Sequence, residues 1–457
     1  MKAEIRDKSI IYKNKETKID DLFDTDFYAL SDKEAERYYN DTYGVNEVFN
    51  NLIQYYLAIE EWIKKNDADR LVVGRSDVRY KFFAKDVCTK KGLYVDGVGF
   101  KDRFVAWISY QLSLLSSTLY FAFKLLAIPY KPGITSKDKF AVVRTKASIK
   151  KFKKFPEIYQ EVESFFEKDS IYRLFPKGKR LKWTIKAYIN AFKTMKTMVA
   201  FYVPMLGRHF KYALFDFYKK RIIYAEIYKM MMEEYLPYFK GCNFYTGNNL
   251  DRYSVIEEQL CQKYGLKSYC IPHGIEYGFK FPKGFSCDVF YVHSQFTADY
   301  LNSLYNTKKY VYDEDIICRM FEYHYDKPHE KMIIFFTEPR EVNVNVDIVN
   351  GLLPKLEEKG WNLYLKLHPG DSKTNYEGLK VDYISDYELS LTGNICISRK
   401  STVLLEAIYN NSLPVAIITN PKDQTMFTLF PSLNSKEIVK TYNIDELFNV
   451  IINNFKN

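Results

Sequence analysis

KMIIFFTEPREVNVNVDIVNGLLPKLEEKGWNLYLKLHPG, residues 331–370, decides the fold. It opens on a short apolar run, Lys331–Phe336 (KMIIFF), which reads as a strand buried on both faces. Val346–Lys359 has helical periodicity, and Gly360 is its C-terminal stop. Trp361–Leu367 (WNLYLKL) is the next strand, and it runs into His368-Pro369-Gly370. The pattern then repeats: strand Asn394–Ile397 (NICI), helix Ser401–Asn411, strand Leu413–Ile418, and a last helix from about Asp445 to Phe455. Such alternation calls for a parallel sheet with helices on both faces.

The first half repeats the theme less cleanly. Arg70–Gly74 (RLVVG), Phe140–Arg144 (FAVVR), Asn243–Gly247 (NFYTG), Lys267–Pro272 (KSYCIP) and Val289–Val292 are strand candidates. Helices are expected over about 78–91, 251–264 and 296–305. The expected fold is therefore α/β, with two Rossmann-like domains facing across a cleft. Residues 1–320 would form the first domain, carrying a helical basic and apolar insertion at about 104–235. Residues 327–440 would form the second, 441–457 a closing helix, and the linker would lie near 318–331. Ligands of such sheets bind at the carboxyl ends of the strands.

Length and composition agree. The chain has 457 residues, enough for two or three domains, with 47% hydrophobic and 27% charged residues. This excludes disordered, collagen-like and disulfide-scaffold classes. The seven cysteines form no CxxC pair and no zinc-finger spacing, as in a reduced cytoplasmic protein. The N-terminus, MKAEIRDKSIIYKNKETKID, has no apolar signal-peptide core.

Net charge is +10, but Lys124–Lys196 alone holds 19 Lys/Arg against six Asp/Glu, a local balance of +13. A basic segment of this size suits a polyanionic partner. It adjoins Phe104–Phe123 (FVAWISYQLSLLSSTLYFAF), 20 residues without a charge. Six Ser, Thr and Gln residues there make a poor bilayer span, so a buried or interfacial helix is expected. The mixed basic and apolar stretch KWTIKAYINAFKTMK fits a helix on an anionic membrane face, or one packed on its own domain. Peripheral attachment to the inner face of the cytoplasmic membrane is the corresponding expectation. No nucleic-acid-binding motif is present, and nucleic acid is not expected as a partner.

Five clusters at strand ends carry the chemistry. In Lys366-Leu367-His368-Pro369-Gly370-Asp371, Lys366 and His368 can bind phosphate by charge-assisted hydrogen bonds, with Pro369 forcing the turn. In Ser398-Arg399-Lys400-Ser401-Thr402, two cations and two hydroxyls meet a helix start, where Ser401 or Thr402 would cap. Pro272-His273-Gly274-Ile275-Glu276 offers His273 or Glu276 as acid or base. Thr246-Gly247-Asn248-Asn249-Leu250-Asp251 offers Asp251 as base, nucleophile or helix cap. Thr337-Glu338-Pro339-Arg340-Glu341 follows the first strand of the second domain and adds Glu338 and Arg340. Walker A, GxGxxG and GxSxG motifs are absent, and neither a cofactor nor an obligate metal is expected.

The order PHG, KLHPG, SRKSTVLLEA resembles a group of bacterial surface-polysaccharide glycosyltransferases of the GT-B fold. The group includes sialyltransferases, Kdo transferases and CDP-glycerol polymerases. The resemblance covers roughly 243–418. It implies that His368 and Pro369, then Ser401 and Thr402, contact the donor's nucleotide phosphate. It implies a CMP-linked ulosonic acid donor, such as Kdo or a sialic acid, and a bacterial polysaccharide, lipopolysaccharide or other glycolipid acceptor. The acidic-acidic-Gly triplet of the sialyltransferases is missing here, and Asp251 matches by location the Asp used by some Kdo transferases. A CDP-glycerol-type glycerophosphotransferase and a non-catalytic nucleotide-sugar or glycan-binding protein of capsule assembly are the alternatives.

Overall fold

The structure, a computed structural model, describes residues 2–6, 9–22, 52–73, 78–96, 98–134, 137–219, 221–247, 252–271, 287–339, 341–429 and 431–455. Its contacts divide the chain into two units, one of the residues up to Ile271, the other of those from Phe290 onward.

The first unit begins with a sheet that hydrophobic patterning did not reveal. β1 (Lys2–Arg6), β2 (Ser9–Tyr12) and β3 (Lys15–Lys18) form an antiparallel meander. α1 (Gln54–Lys65), β4 (Arg70–Val73), α2 (Val78–Lys91) and β5 (Tyr94–Asp96) follow. The strand order is β3-β2-β1-β4-β5, with β4 parallel to both neighbours. Tyr12 pairs with Lys15, so the β2–β3 turn has two residues. Both have positive φ, 51° at Lys13 and 62° at Asn14, the type I′ geometry that matches strand twist. Arg70–Val73, expected in the main sheet of the first half, belongs instead to this separate five-stranded one.

α3 (Phe100–Ala127), β6 (Lys139–Val143), α4 (Lys146–Phe152), β7 (Tyr159–Val162), α5 (Lys177–Leu206), α6 (Phe210–Tyr218) and α7 (Arg221–Tyr235) come next. The stretch 104–235 is thus mostly helical, but it also supplies two strands, β6 and β7. They are followed by β8 (Asn243–Thr246), α8 (Arg252–Tyr264), β9 (Lys267–Cys270), β10 (Val289–Val292), α9 (Gln295–Tyr305), β11 (Tyr310–Tyr312) and α10 (Glu314–Phe321). The six-stranded sheet has the order β11-β10-β9-β8-β6-β7. Numbered from its own first strand, this is 2-1-3-4-5-6, a doubly wound order whose direction switches between β6 and β8.

Gly207 ends α5 at φ +131°, and a Cβ there would lie 2.4 Å from Cγ of Asp86. Asp86 cannot retreat: it is buried and accepts from His209 N–H (3.1 Å) and pairs with His209 Nδ1 (2.9 Å). Gly207→Ala is expected to cost roughly 1–3 kcal/mol from the backbone alone, read as a lower urea midpoint. An unchanged midpoint would mean that Asp86 has room to move.

The second unit, to which α9, β11 and α10 already belong, goes on with β12 (Ile333–Phe336), α11 (Val342–Glu357), β13 (Leu363–Lys366), β14 (Asp382–Tyr383), α12 (Tyr387–Leu391), β15 (Ile395–Ser398), α13 (Val403–Ile408), β16 (Leu413–Ile417), α14 (Pro421–Leu429), β17 (Val439–Thr441) and α15 (Ile444–Phe455). The strands from β12 onward form one sheet whose pairs are all parallel, in the order β14-β13-β12-β15-β16-β17. That is 3-2-1-4-5-6, the Rossmann order. Alternation along each strand fills both faces. Ile333, Phe335, Leu363, Leu365, Ile395 and Ile397 pack under α11 and α15. Ile334, Phe336 and Cys396 pack on the other face, under α13. In the stretch read as a linker, Phe321 and Tyr323 are bonded to Asn410, through Asn410 Nδ2 to Phe321 O (2.7 Å) and Tyr323 N–H to Asn410 Oδ1 (2.7 Å).

Candidate functional site

In the second unit β12 lies between β13 and β15. The turns after these three parallel strands therefore emerge side by side where the strand order reverses, the usual ligand position of such sheets. Thr337 stitches two of them: its N–H donates to Lys366 O (3.0 Å) and its Oγ1 accepts from His368 N–H (3.1 Å). A Cβ on Gly370 would stand 3.1 Å from Cβ of Pro339, so a side chain there would press the two turns apart by a few tenths of an ångström.

His368 is exposed, and its Nδ1 accepts from Gly370 N–H (3.0 Å). The ring proton is therefore left on Nε2. Burial lowers the imidazole pKa, and the neighbouring Asp371 only partly opposes this. At neutral pH His368 is thus a neutral ring presenting one N–H donor. Pro369 is exposed beside it. Lys366 is less available than its sequence position promised: its Nζ donates to Ser385 O and lies over the Tyr387 ring at 5.7 Å.

The SRKST cluster differs most from its reading. Ser398 is fully buried and donates to Phe336 O (3.3 Å), tying β15 to β12 rather than facing a ligand. Arg399 is fully buried as well. Its Nε and Nη2 hold both carboxylate oxygens of Asp423 (2.8 and 3.0 Å), and Nη2 also reaches Glu341 (2.6 Å). Lys400 Nζ bonds Asp423 Oδ1 (2.5 Å) and lies 3.5 Å from Glu341 and 3.9 Å from Glu338. Lys422 pairs with Glu341 (3.2 Å). Three cations therefore face three carboxylates, and Lys400 is already neutralised.

Glu338 is buried and accepts from Lys400 N–H (2.7 Å). Burial raises its carboxyl pKa, against the pull of Lys400 and Arg399. Glu341 sits in the left-handed region at φ 52°, and this aims its carboxylate at Arg399 and Lys422. Ser401 Oγ accepts from Val403 N–H (3.3 Å), while Thr402, the N-cap residue, makes no side-chain cap. α13 has six residues, against eleven expected, so its dipole adds little to anion binding. Arg340 lies outside the described residues, as do Asp251, His273 and Glu276.

The first unit has a second polar cluster, at the β6–β8 reversal, that sequence reading missed. Glu257 is buried and accepts from Arg144 Nη1 (3.3 Å), Tyr228 Oη (2.6 Å) and Thr246 Oγ1 (2.5 Å). The Arg144 guanidinium stacks 3.5 Å over the Tyr253 ring. Glu163, equally buried, accepts from Tyr172 and Tyr224, each at 2.5 Å. Burial raises its pKa, outweighing those two donors. Beside them Lys151 donates to Ile271 O (3.0 Å), and burial lowers its amine to about 8, with Cys270 opposing. A signal for Glu257 was present: it stands on the buried face of α8 with Tyr253, Ile256 and Leu260, a carboxylate in an apolar stripe. Among the described residues, no cluster of His, Cys, Asp or Glu is arranged to hold a metal.

Fold and site together define an α/β protein with two six-stranded parallel sheets, polar clusters standing at the reversal point of each. No family model matches the sequence, and no curated protein matches it. Among solved structures it is similar to UDP-GlcNAc 2-epimerase from Methanocaldococcus jannaschii, with 10% identity over 70% of this chain and 92% of that one, at a TM-score of 0.41. That likeness is too distant to carry over residue roles or activity.

Proposed function

We propose that this chain is a glycosyltransferase that takes a sugar from a nucleotide-activated donor, with the donor phosphate bound beside His368. The observation that carries this reading is the Rossmann-order sheet, which gathers the 337–341, 368–371 and 399–402 turns at its reversal point and leaves the His368 Nε2–H exposed. A phosphate oxygen there would accept from Nε2–H and from the Ser401 and Thr402 hydroxyls. As the glycosyl–oxygen bond breaks, that donor would stabilise the departing phosphate. The acceptor hydroxyl would lose its proton to a base, for which Asp251 and Glu276 with His273 remain the candidates. The similarity of PHG, KLHPG and SRKST to the surface-polysaccharide transferases favours a CMP-linked ulosonic acid as donor and a bacterial surface glycan as acceptor.

His368→Ala is expected to weaken nucleotide binding about tenfold, the worth of one hydrogen bond to a charged group. Melting temperature should hold, because among the described residues the ring bonds Gly370 N–H alone. Because the ring is neutral, affinity should stay level between about pH 7 and pH 8. Calorimetric titration checks both. Wild-type affinity in the variant would remove His368 from the site.

A further inference from the structure

We propose that the paired outer faces of α3 and α5 form a docking surface for an anionic phospholipid bilayer. The two helices are antiparallel neighbours clamped at one end by Arg180. This residue is fully buried, and its Nη1 donates to Leu125 O (2.6 Å) and Ile128 O (2.9 Å) at the end of α3. Ala106, Tyr110, Leu114 and Ser117 face inward from α3. The opposite face is apolar and open: Phe104 is 50% exposed, Leu112 61%, Leu119 63% and Phe123 72%. At 3.6 residues per turn these side chains fall in one stripe along a helix about 42 Å long. A shallow groove lined by Phe104, Leu112, Leu115 and Leu119 runs along it. Soluble monomers rarely leave so long an apolar stripe to water.

α5 extends the surface and supplies its charge. One flank meets α7, where Asn190 and Thr194 donate to Glu226 (both 3.1 Å). The other meets α3, where Phe192 lies edge-on to Tyr110 at 6.4 Å. Between these flanks Leu181, Ile185 and Ile189 are exposed. The next row holds Lys182, Lys186 and Lys193, also exposed. The resulting order is an apolar stripe on α3, an apolar stripe on α5, then a lysine row.

This pattern fits a bilayer surface with acidic headgroups better than a second protein. The apolar side chains would enter the headgroup and acyl boundary while the lysines meet the lipid phosphates. The hydroxyls on α3 suit that depth. Thr118 Oγ1 donates to Leu114 O (2.7 Å) and Ser116 Oγ to Ser113 O (3.2 Å), so neither enters lipid unsatisfied. Trp107, 46% exposed beside Phe104, is a side chain that favours the membrane interface. Among the described residues, no helix is long and apolar enough to cross a membrane, so the surface would lie on the bilayer.

The test is co-sedimentation of the full chain with vesicles of phosphatidylcholine alone, or with about 30% phosphatidylglycerol, at low and high salt. The protein should pellet with the anionic vesicles, far less with the neutral ones, and less at high salt. Lys182→Ala/Lys186→Ala/Lys193→Ala should weaken binding on the order of 100-fold. Leu115→Ser/Leu119→Ser should abolish it at both salts. Melting temperatures identify any variant that fails to fold, and the lysine variant decides alone if the leucine variant does. No pelleting with anionic vesicles would overturn the proposal, as would equal pelleting with both lipids. So would a leucine variant that binds vesicles normally but turns a dimer into a monomer, since the face would then join two copies of this chain.

Discussion

Replacing Asp423 by Ala is expected to cost the second unit about 3–5 kcal/mol, the largest loss from any single change at the site. Asp423 is fully buried and holds Arg399 through two hydrogen bonds, at 2.8 and 3.0 Å. It also accepts from Asn420 Nδ2 (2.8 Å) and donates its N–H to Asn420 Oδ1 (3.0 Å), which fixes the start of α14. Without it the Arg399 guanidinium would remain buried, still reaching Glu341 but stripped of the carboxylate that holds it through two bonds. A buried charge stripped of its partner costs more than the pair contributes when intact. Urea unfolding of the Asp423→Ala protein measures the loss. A change below about 1 kcal/mol would mean that the cluster is solvated and Arg399 free to turn outward.

The same cluster carries an acid sensitivity. Burial pushes the Glu341 carboxyl up, but Lys400, Arg399 and Lys422 more than offset it and hold it at about 2. A carboxylate depressed on folding contributes stability that is complete above its unfolded pKa and is lost as pH falls through the folded value. The Glu341 contribution should therefore be intact above about pH 4.5 and fade toward pH 2. Glu341→Gln should flatten that part of the acid unfolding curve.

The second large effect is expected in the first unit. Glu257→Ala removes the acceptor shared by Arg144, Tyr228 and Thr246, in a place where Glu257 and the Arg144 side chain are both buried. The loss should again be about 3–5 kcal/mol. Glu257→Gln, which keeps the volume and one carbonyl acceptor, should lose less. Thermal unfolding of the two variants separates charge from packing. Equal losses would show that the charge carries the whole effect, whereas a Gln variant as stable as the wild type would show that Glu257 serves as filler and that its charge is idle.

The second unit was legible because its strands are buried on both faces and read as nearly unbroken apolar runs, IIFF, ICIS and LPVAI. Gly360 at φ +70° ends the helix turn as its position suggested. The N-terminal sheet was not legible, because β3 is KETK, which has no apolar alternation. β7, YQEV, was equally obscure. Its Glu161 is buried because Arg173 pairs with it at 2.8 Å, a partner local propensity cannot show. The SRKST turn read as a phosphate cradle because its cations are adjacent in sequence. Their counter-ions are not: Glu341 stands 58 residues before Arg399, and Asp423 24 after it. The placement of His368 and the HPG turn at a strand end was therefore legible, because strand end and turn residues agree. The site was misread where distant carboxylates set the charge.

The central claim, a nucleotide phosphate at the reversal point of the second sheet, is tested most directly by thermal shift of the purified wild-type protein with CMP, CDP, UDP, GDP and ADP. A ligand that binds only the folded state contributes about 2.7 kcal/mol at 100 times its Kd, well within reach of the method. The account predicts that one nucleotide, CMP, raises the melting temperature and that the shift shrinks in the His368→Ala protein. Melting temperatures unmoved by all five would contradict it.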